Sequence, residues 1–160
     1  MSDGVVLVSA KRSPFGKYLG SLADLDPVEL ASQVARAALE VGGRGLAPEV
    51  EQVFVGNCIQ ASFATGSVNG RQIALRLGIP GFATTFDTAC CSPLTALRSA
   101  TTAMRLGELA GGLVIGVESM SRTPHVARGL RGGVRVGPAE LQDPIYPIEY
   151  GGLNPVSRDA

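Results

Sequence analysis

The chain reads as an α/β protein with a mixed, mostly parallel sheet and helices on both faces. Three observations predict this. Short β-branched or apolar runs alternate with longer stretches of helical periodicity. Gly, Pro and Asp stand at the joints between them. One short β-like run, Ala83 to Ala89, is joined through Cys90 to a long stretch of small and apolar residues beginning at Leu94.

In order along the chain, Val5 to Ala10 is a continuous apolar run and predicts a fully buried first strand. Residues 11 to 25 are polar and glycine-containing, as in a loop. Asp26 is a good N-cap, Pro27 suits the first helical position, and Glu29 stands three residues after the cap as in a capping box. That helix is expected to run to about Val41, with Leu30, Val34, Ala38 and Val41 inward, and to stop at Gly42-Gly43. Val53 to Gly56 predicts a second strand. Residues 66 to 78 predict a helix with Ile73, Ala74 and Leu77 inward, ended by Gly78 and Pro80. Thr84 to Ala89 predicts a third strand, Ser92 to Leu106 a helix, and Gly111 to Val117 a fourth strand. The helix after Cys90 carries Leu94, Ala96, Leu97, Ala100, Ala103 and Met104, with only Arg98 and Arg105 to break the pattern, so it is expected to be buried on nearly all sides.

Composition narrows the function. Lys plus Arg and Asp plus Glu are 14 each, which gives no overall pull towards nucleic acid or a membrane surface. Apolar residues make up 45 %, a globular fraction rather than a disordered one. Three cysteines do not suggest a disulfide framework, and none has metal-ligand spacing with His125, the only histidine. No signal-type or membrane-spanning apolar run is present, and no Walker or dinucleotide glycine motif. The expectation is a cytoplasmic protein without metal.

The chemistry concentrates at Phe86-Asp87-Thr88-Ala89-Cys90-Cys91-Ser92-Pro93-Leu94. A cysteine at a strand-to-helix junction sits near unpaired N–H groups and the positive end of a helix dipole, a field that favours the nucleophilic thiolate. Free cysteines are more often buried and inert, but this setting favours Cys90 as a nucleophile. Cys91 is expected to point away from the pocket, and Cys58 reads as packing. Glu118 reads as structural. His125, in an arginine-rich loop, is set aside as a base.

Asp87-Thr88-Ala89-Cys90 with Ser92 resembles the active-site segment of the thiolase and ketoacyl-synthase superfamily. Three further segments resemble thiolases in order: Val6 to Lys17 with Gly20-Ser21-Leu22, Val55 to Ala61, and Gly116 to Ser121. The resemblance implies a nucleophile, Cys90, that takes up an acyl group as a thioester, its backbone N–H helping to hold the oxyanion. It implies a coenzyme A thioester as substrate, no cofactor, and a thiolase-type Claisen condensation or thiolytic cleavage of a 3-ketoacyl-coenzyme A. Where thiolases typically carry Cys-Gly-Ser-Gly, this chain has Cys90-Cys91-Ser92-Pro93, closer to the synthases.

The resemblance divides the chain into an N-terminal α/β domain, 1–120, and the start of a coenzyme-A-contacting loop region, 121–160. Residues 121 to 139 hold Arg122, Arg128, Arg131 and Arg135 and no acidic residue. They read first as a solvated basic surface and second as a cationic rim for the phosphates of coenzyme A, a reading that the likeness to thiolase loop regions raises but leaves open. In the family a second half supplies an Asn-Glu-Ala-Phe loop, a Gly-His-Pro histidine and a Cys-x-Gly cysteine, and none of these occurs in the 160 residues. A complementary C-terminal half and a homodimer or higher oligomer are therefore expected partners. A ketoacyl-synthase-like fragment and a non-catalytic assembly subunit are the alternatives.

Overall fold

A computed structural model describes residues 4–41, 44–62, 67–134 and 136–145. The first helix, α1, spans Pro27–Leu39, and Asp26 Oδ1 accepts from the Val28 N–H at 2.8 Å, the expected cap. The capping box does not close, because the Glu29 carboxylate is taken by Gln33 Nε2 at 3.0 Å and Arg76 at 2.7 Å. A short antiparallel pair, β1 (Glu40–Val41) and β2 (Arg44–Gly45), follows. The expected stop at Gly42-Gly43 lies outside the described residues.

The main sheet has three parallel strands, β3 (Gln52–Gly56), β4 (Phe82–Phe86) and β5 (Gly112–Gly116), in the order β4-β3-β5. Gly56 stands opposite both Phe86 and Gly116, so the three strands end together. The crossovers carry α2 (Asn69–Arg76) and α3 (Ser92–Arg105). β3 is central and buried on both faces, so its side chains alternate between two cores. Val53 and Val55 join Val28, Ala31, Ala35, Leu39, Ile73 and Ala74 on the α1/α2 side. Phe54 joins Ala96, Ala100, Ala103 and Leu109 on the α3 side and stacks on Phe86, ring centroids 6.3 Å apart.

The expected architecture holds, with helices on both faces of a parallel sheet, and three expectations need correction. Val5 to Ala10 forms no strand, and Val6 and Leu7 are 76 % and 81 % exposed. A strand needs a neighbour for its N–H and C=O groups, and no described strand lies beside this run. The inner stripe of α1 is Val28, Ala31, Ala35 and Leu39, one position round from the Leu30/Val34/Ala38 stripe. The alanines allow close approach to the sheet, which leaves the bulkier Leu30 and Val34 half-buried. The third correction is α3. It buries Ser92, Ala96, Ala100 and Ala103 on one face, while Leu94 (66 % exposed), Leu97 and Leu106 lie open on the other. It is a one-sided helix in this chain, because the described residues supply only the sheet side.

After β5 the chain is loop-rich, as expected, with single 3₁₀ turns at Met120–Arg122 and Leu130–Gly132. Val126 and Gln142 exchange two backbone hydrogen bonds at 2.9 and 2.8 Å. Residues 146–160 lie outside the described residues.

Candidate functional site

The parallel strands all point their C-terminal ends at one rim, and Cys90 lies on it. The chain leaves β4 at Phe86, turns through Asp87 to Cys91, and enters α3 at Ser92. Cys90 is exposed, one residue before Cys91, the helix cap. The turn is tight. Ala89 has φ of 51°, a left-handed conformation costly for a residue with a Cβ. The Cys91 N–H donates to Thr88 O and the Ser92 N–H to Ala89 O. Asp87 Oδ1 accepts from the Ala89 N–H at 3.1 Å.

Ser92 braces this turn from inside. Its buried Oγ accepts from the Thr88 N–H at 2.9 Å and donates to Ala89 O at 2.6 Å. Pro93 follows in the first helical turn, where the missing N–H costs nothing. Two glycines let the helix sit this close to the strand ends. A Cβ on Gly56 would collide with the Ser92–Pro93 backbone, and one on Gly116 would meet the Pro93 ring. Sequence reading quoted both glycines only as parts of motifs and missed the packing role, which depends on which strand ends lie under the helix.

Glu118 ties the rim together. Its Oε1 accepts from Asn57 Nδ2 at 2.9 Å, and its Oε2 accepts the N–H groups of Cys58 and Ile59 at 2.9 and 3.1 Å. Buried Asn57 also donates to Val117 O and accepts from Asn69 Nδ2, which links β3, β5 and the start of α2. Glu118 therefore does hold structure together, and Asn57 and Asn69 are site-supporting residues that periodicity could not single out.

Cys58 is half-buried just beyond β3, where burial first, then the charges of Asp87, Glu118 and Cys90, push its thiol up to about 11. The two thiols thus share one rim.

The arginines behave differently from one another. Arg122 turns inward: its guanidinium donates to Asp24 O at 3.2 Å and lies 4.0 Å from Asp26 Oδ2. With the Leu19 N–H on Ser121 Oγ, it fastens the 19–26 loop to the segment after β5. Arg128 Nε donates to Gln142 Oε1 at 2.8 Å. Arg131 is exposed on the last 3₁₀ turn, and Arg135 lies outside the described residues. His125 is exposed. Among the described residues no group of three His, Cys, Asp or Glu could hold a metal ion, and no helix is long and apolar enough to cross a membrane.

Residues 5–158 match the family model described as Thiolase, N-terminal domain. An acetyl-CoA acetyltransferase of Cupriavidus necator is 40 % identical over 146 residues, which cover 89 % of this chain and 36 % of that protein. A mitochondrial 3-ketoacyl-CoA thiolase of Bos taurus is 37 % identical over 147 residues, again 89 % of this chain and 36 % of the relative. Among solved structures, human mitochondrial 3-ketoacyl-CoA thiolase in complex with CoA superimposes with a TM-score of 0.75 at 32 % identity, over 85 % of this chain and 35 % of the other. The Bacillus anthracis acetyl-CoA acetyltransferase gives 0.76 at 31 %, over 89 % and 36 %. The chain spans about a third of the length of the curated relatives it matches. With the family model covering nearly its whole length, the chain belongs to the thiolase N-terminal domain family.

Proposed function

We propose that this chain contributes the acyl-accepting half of a thiolase-type acyltransferase, with Cys90 as the nucleophile. The observation that carries the reading is the exposed Cys90 at the braced turn between β4 and α3. The Cys90 thiolate attacks the carbonyl carbon of an acyl-coenzyme A. The C–S bond to coenzyme A breaks, coenzyme A leaves as its thiolate and takes a proton, and Cys90 keeps the acyl group as a thioester. The neighbouring N–H groups of Cys91 and Ser92 are spent on the turn, so the oxyanion falls to the Cys90 N–H. Condensation with a second acyl-coenzyme A, or the reverse thiolytic cleavage, also needs a base, and exposed His125 faces no such task.

The division into a 1–120 α/β domain and a 121–160 coenzyme-A-contacting region is part of this proposal. Arg128 and Arg131 are its phosphate-facing cations. Arg122, anchored to Asp24 and Asp26, serves by holding the loop beside them. The open face of α3 and the exposed Phe82 on edge strand β4 are the surfaces for a second copy and for the complementary half, since contiguous apolar surface marks an interface. A cytoplasmic setting fits three free thiols.

The test is complementation. The chain alone is expected to give no turnover of acetoacetyl-coenzyme A. Addition of a polypeptide carrying the Gly-His-Pro and Cys-x-Gly segments restores turnover, and Cys90→Ser abolishes it. Full turnover by the isolated chain contradicts the division of labour, and turnover by the complemented Cys90→Ser variant contradicts the nucleophile.

A further inference from the structure

Five consecutive N–H groups, Thr88 to Ser92, line the turn between β4 and α3, and four of them are occupied inside it. The Thr88 N–H donates to Ser92 Oγ at 2.9 Å, and the Ala89 N–H to Asp87 Oδ1 at 3.1 Å. The Cys91 N–H donates to Thr88 O at 3.1 Å, and the Ser92 N–H to Ala89 O at 3.0 Å. The one left over belongs to Cys90, whose N–H meets no acceptor among the described residues.

The Ala89 carbonyl decides where that N–H points. A trans peptide unit is planar, so the Cys90 N–H lies opposite the Ala89 C=O. Ala89 O accepts twice from Ser92, from its N–H at 3.0 Å and from its hydroxyl at 2.6 Å. That hydroxyl is 1 % exposed, and it donates to Ala89 O while accepting from the Thr88 N–H, so its orientation is fixed. The carbonyl is thus gripped from the start of α3, and the N–H is turned the other way. The arrangement needs Ala89 in the left-handed conformation, φ 51°, which an alanine keeps only where its surroundings impose it. Asp87 supplies the second tether, since its carboxylate holds the other end of Ala89.

We propose that Ser92 is a positioning residue for acyl transfer: by holding the Ala89–Cys90 peptide, it aims the Cys90 N–H at the oxyanion that forms on the thioester carbonyl. The inference rests on Cys90 being the acyl acceptor. As the Cys90 thiolate adds, the new S–C bond forms and the carbonyl π pair moves onto oxygen. As the C–S bond to coenzyme A breaks, that pair returns to the carbonyl and coenzyme A leaves as its thiolate. The N–H stabilises only the state between the two, where a fixed donor counts most. Ser92, buried under the turn, acts through the peptide and not on the substrate.

Two reactions at the same sulfur separate aim from acidity. Acetylation by acetyl-coenzyme A passes through an oxyanion, whereas alkylation by iodoacetamide displaces iodide at a saturated carbon and forms none. Both need the Cys90 thiolate, so a shift in its acidity moves the two rates together. The rates are read at Cys90 by peptide mass in the full chain. In Ser92→Ala the ratio of acetylation to alkylation is expected to fall about 10- to 100-fold, less than the outright loss of an oxyanion donor. Asp87 is exposed, and Asp87→Ala is expected to lower the ratio several-fold, with Asp87→Asn, which keeps an acceptor oxygen, recovering it. A ratio unmoved in Ser92→Ala, or in Asp87→Ala where Ser92→Ala does not fold, overturns the proposal. A parent chain alkylated at Cys90 but never acetylated is a different failure, which removes the acyl-acceptor reading itself and this inference with it.

Discussion

The two faces of the sheet are built from the same kinds of residue and finished to different degrees. On the α1/α2 face, Val53, Val55, Ile73 and Ala74 are fully excluded from water. On the α3 face, Phe54 and three alanines are covered, but the helix that covers them leaves Leu94, Leu97 and Leu106 in solvent. The closed face holds the larger buried cluster, and the half-open one has Cys90 at its rim.

The contrast can be broken by paired truncations. Ile73→Ala on the closed face is expected to cost about 2–5 kcal/mol, because a well-packed core relaxes only partly around a cavity. Leu97→Ala on the open face of α3 is expected to stay within about 0.5 kcal/mol in this chain. Urea midpoints of the two variants check this, and comparable losses would mean that the α3 face is closed in solution.

At the rim, Glu118→Ala removes the acceptor of three donors and leaves buried Asn57 short of a partner. We expect about 1–3 kcal/mol of destabilisation, read by the same midpoints, and greater amide exchange at Cys58 and Ile59. Cys58 supplies a pH signature. Its folded-state pKa of about 11 lies above the usual thiol range, so its contribution is fully present below about 9 and lost as pH rises towards 11. The melting temperature should therefore fall more steeply over that window in the parent than in Cys58→Ser. Equal slopes would place the thiol in ordinary solvent. The smallest expected effect is at Ala89, where Ala89→Gly relieves the left-handed strain and gains less than about 1 kcal/mol in thermal unfolding, the flexibility of glycine offsetting part of the relief.

Much of the fold was legible because its signals are local. Asp26-Pro27 starts α1, Gly78 and Pro80 close α2, and Ser92-Pro93 opens α3 where expected. What was not legible depends on neighbours. Among the described residues, Val5 to Val8 has the composition of a buried strand and no strand beside it, and α3 has the composition of a buried helix and a cover on one side only. The site divides the same way. The place of Cys90 between a strand and a helix was readable, whereas the Ser92 brace and the bare Gly56 and Gly116 follow from which strand ends lie under α3. The inward turn of Arg122 follows from the 19–26 loop folding back, which its charge pattern does not encode.

The central claim is that the turn at the start of α3 makes Cys90 an acyl acceptor before any other half is added. Incubation of the isolated chain with acetyl-coenzyme A, followed by intact-mass and peptide-mass measurement at mildly acidic quench, tests it directly. The account predicts a single, slowly formed acetyl adduct on Cys90, removed by hydroxylamine and absent in Cys90→Ser, with Cys58 and Cys91 unmodified. An adduct distributed over the exposed thiols, or formed equally on Cys91, would contradict it.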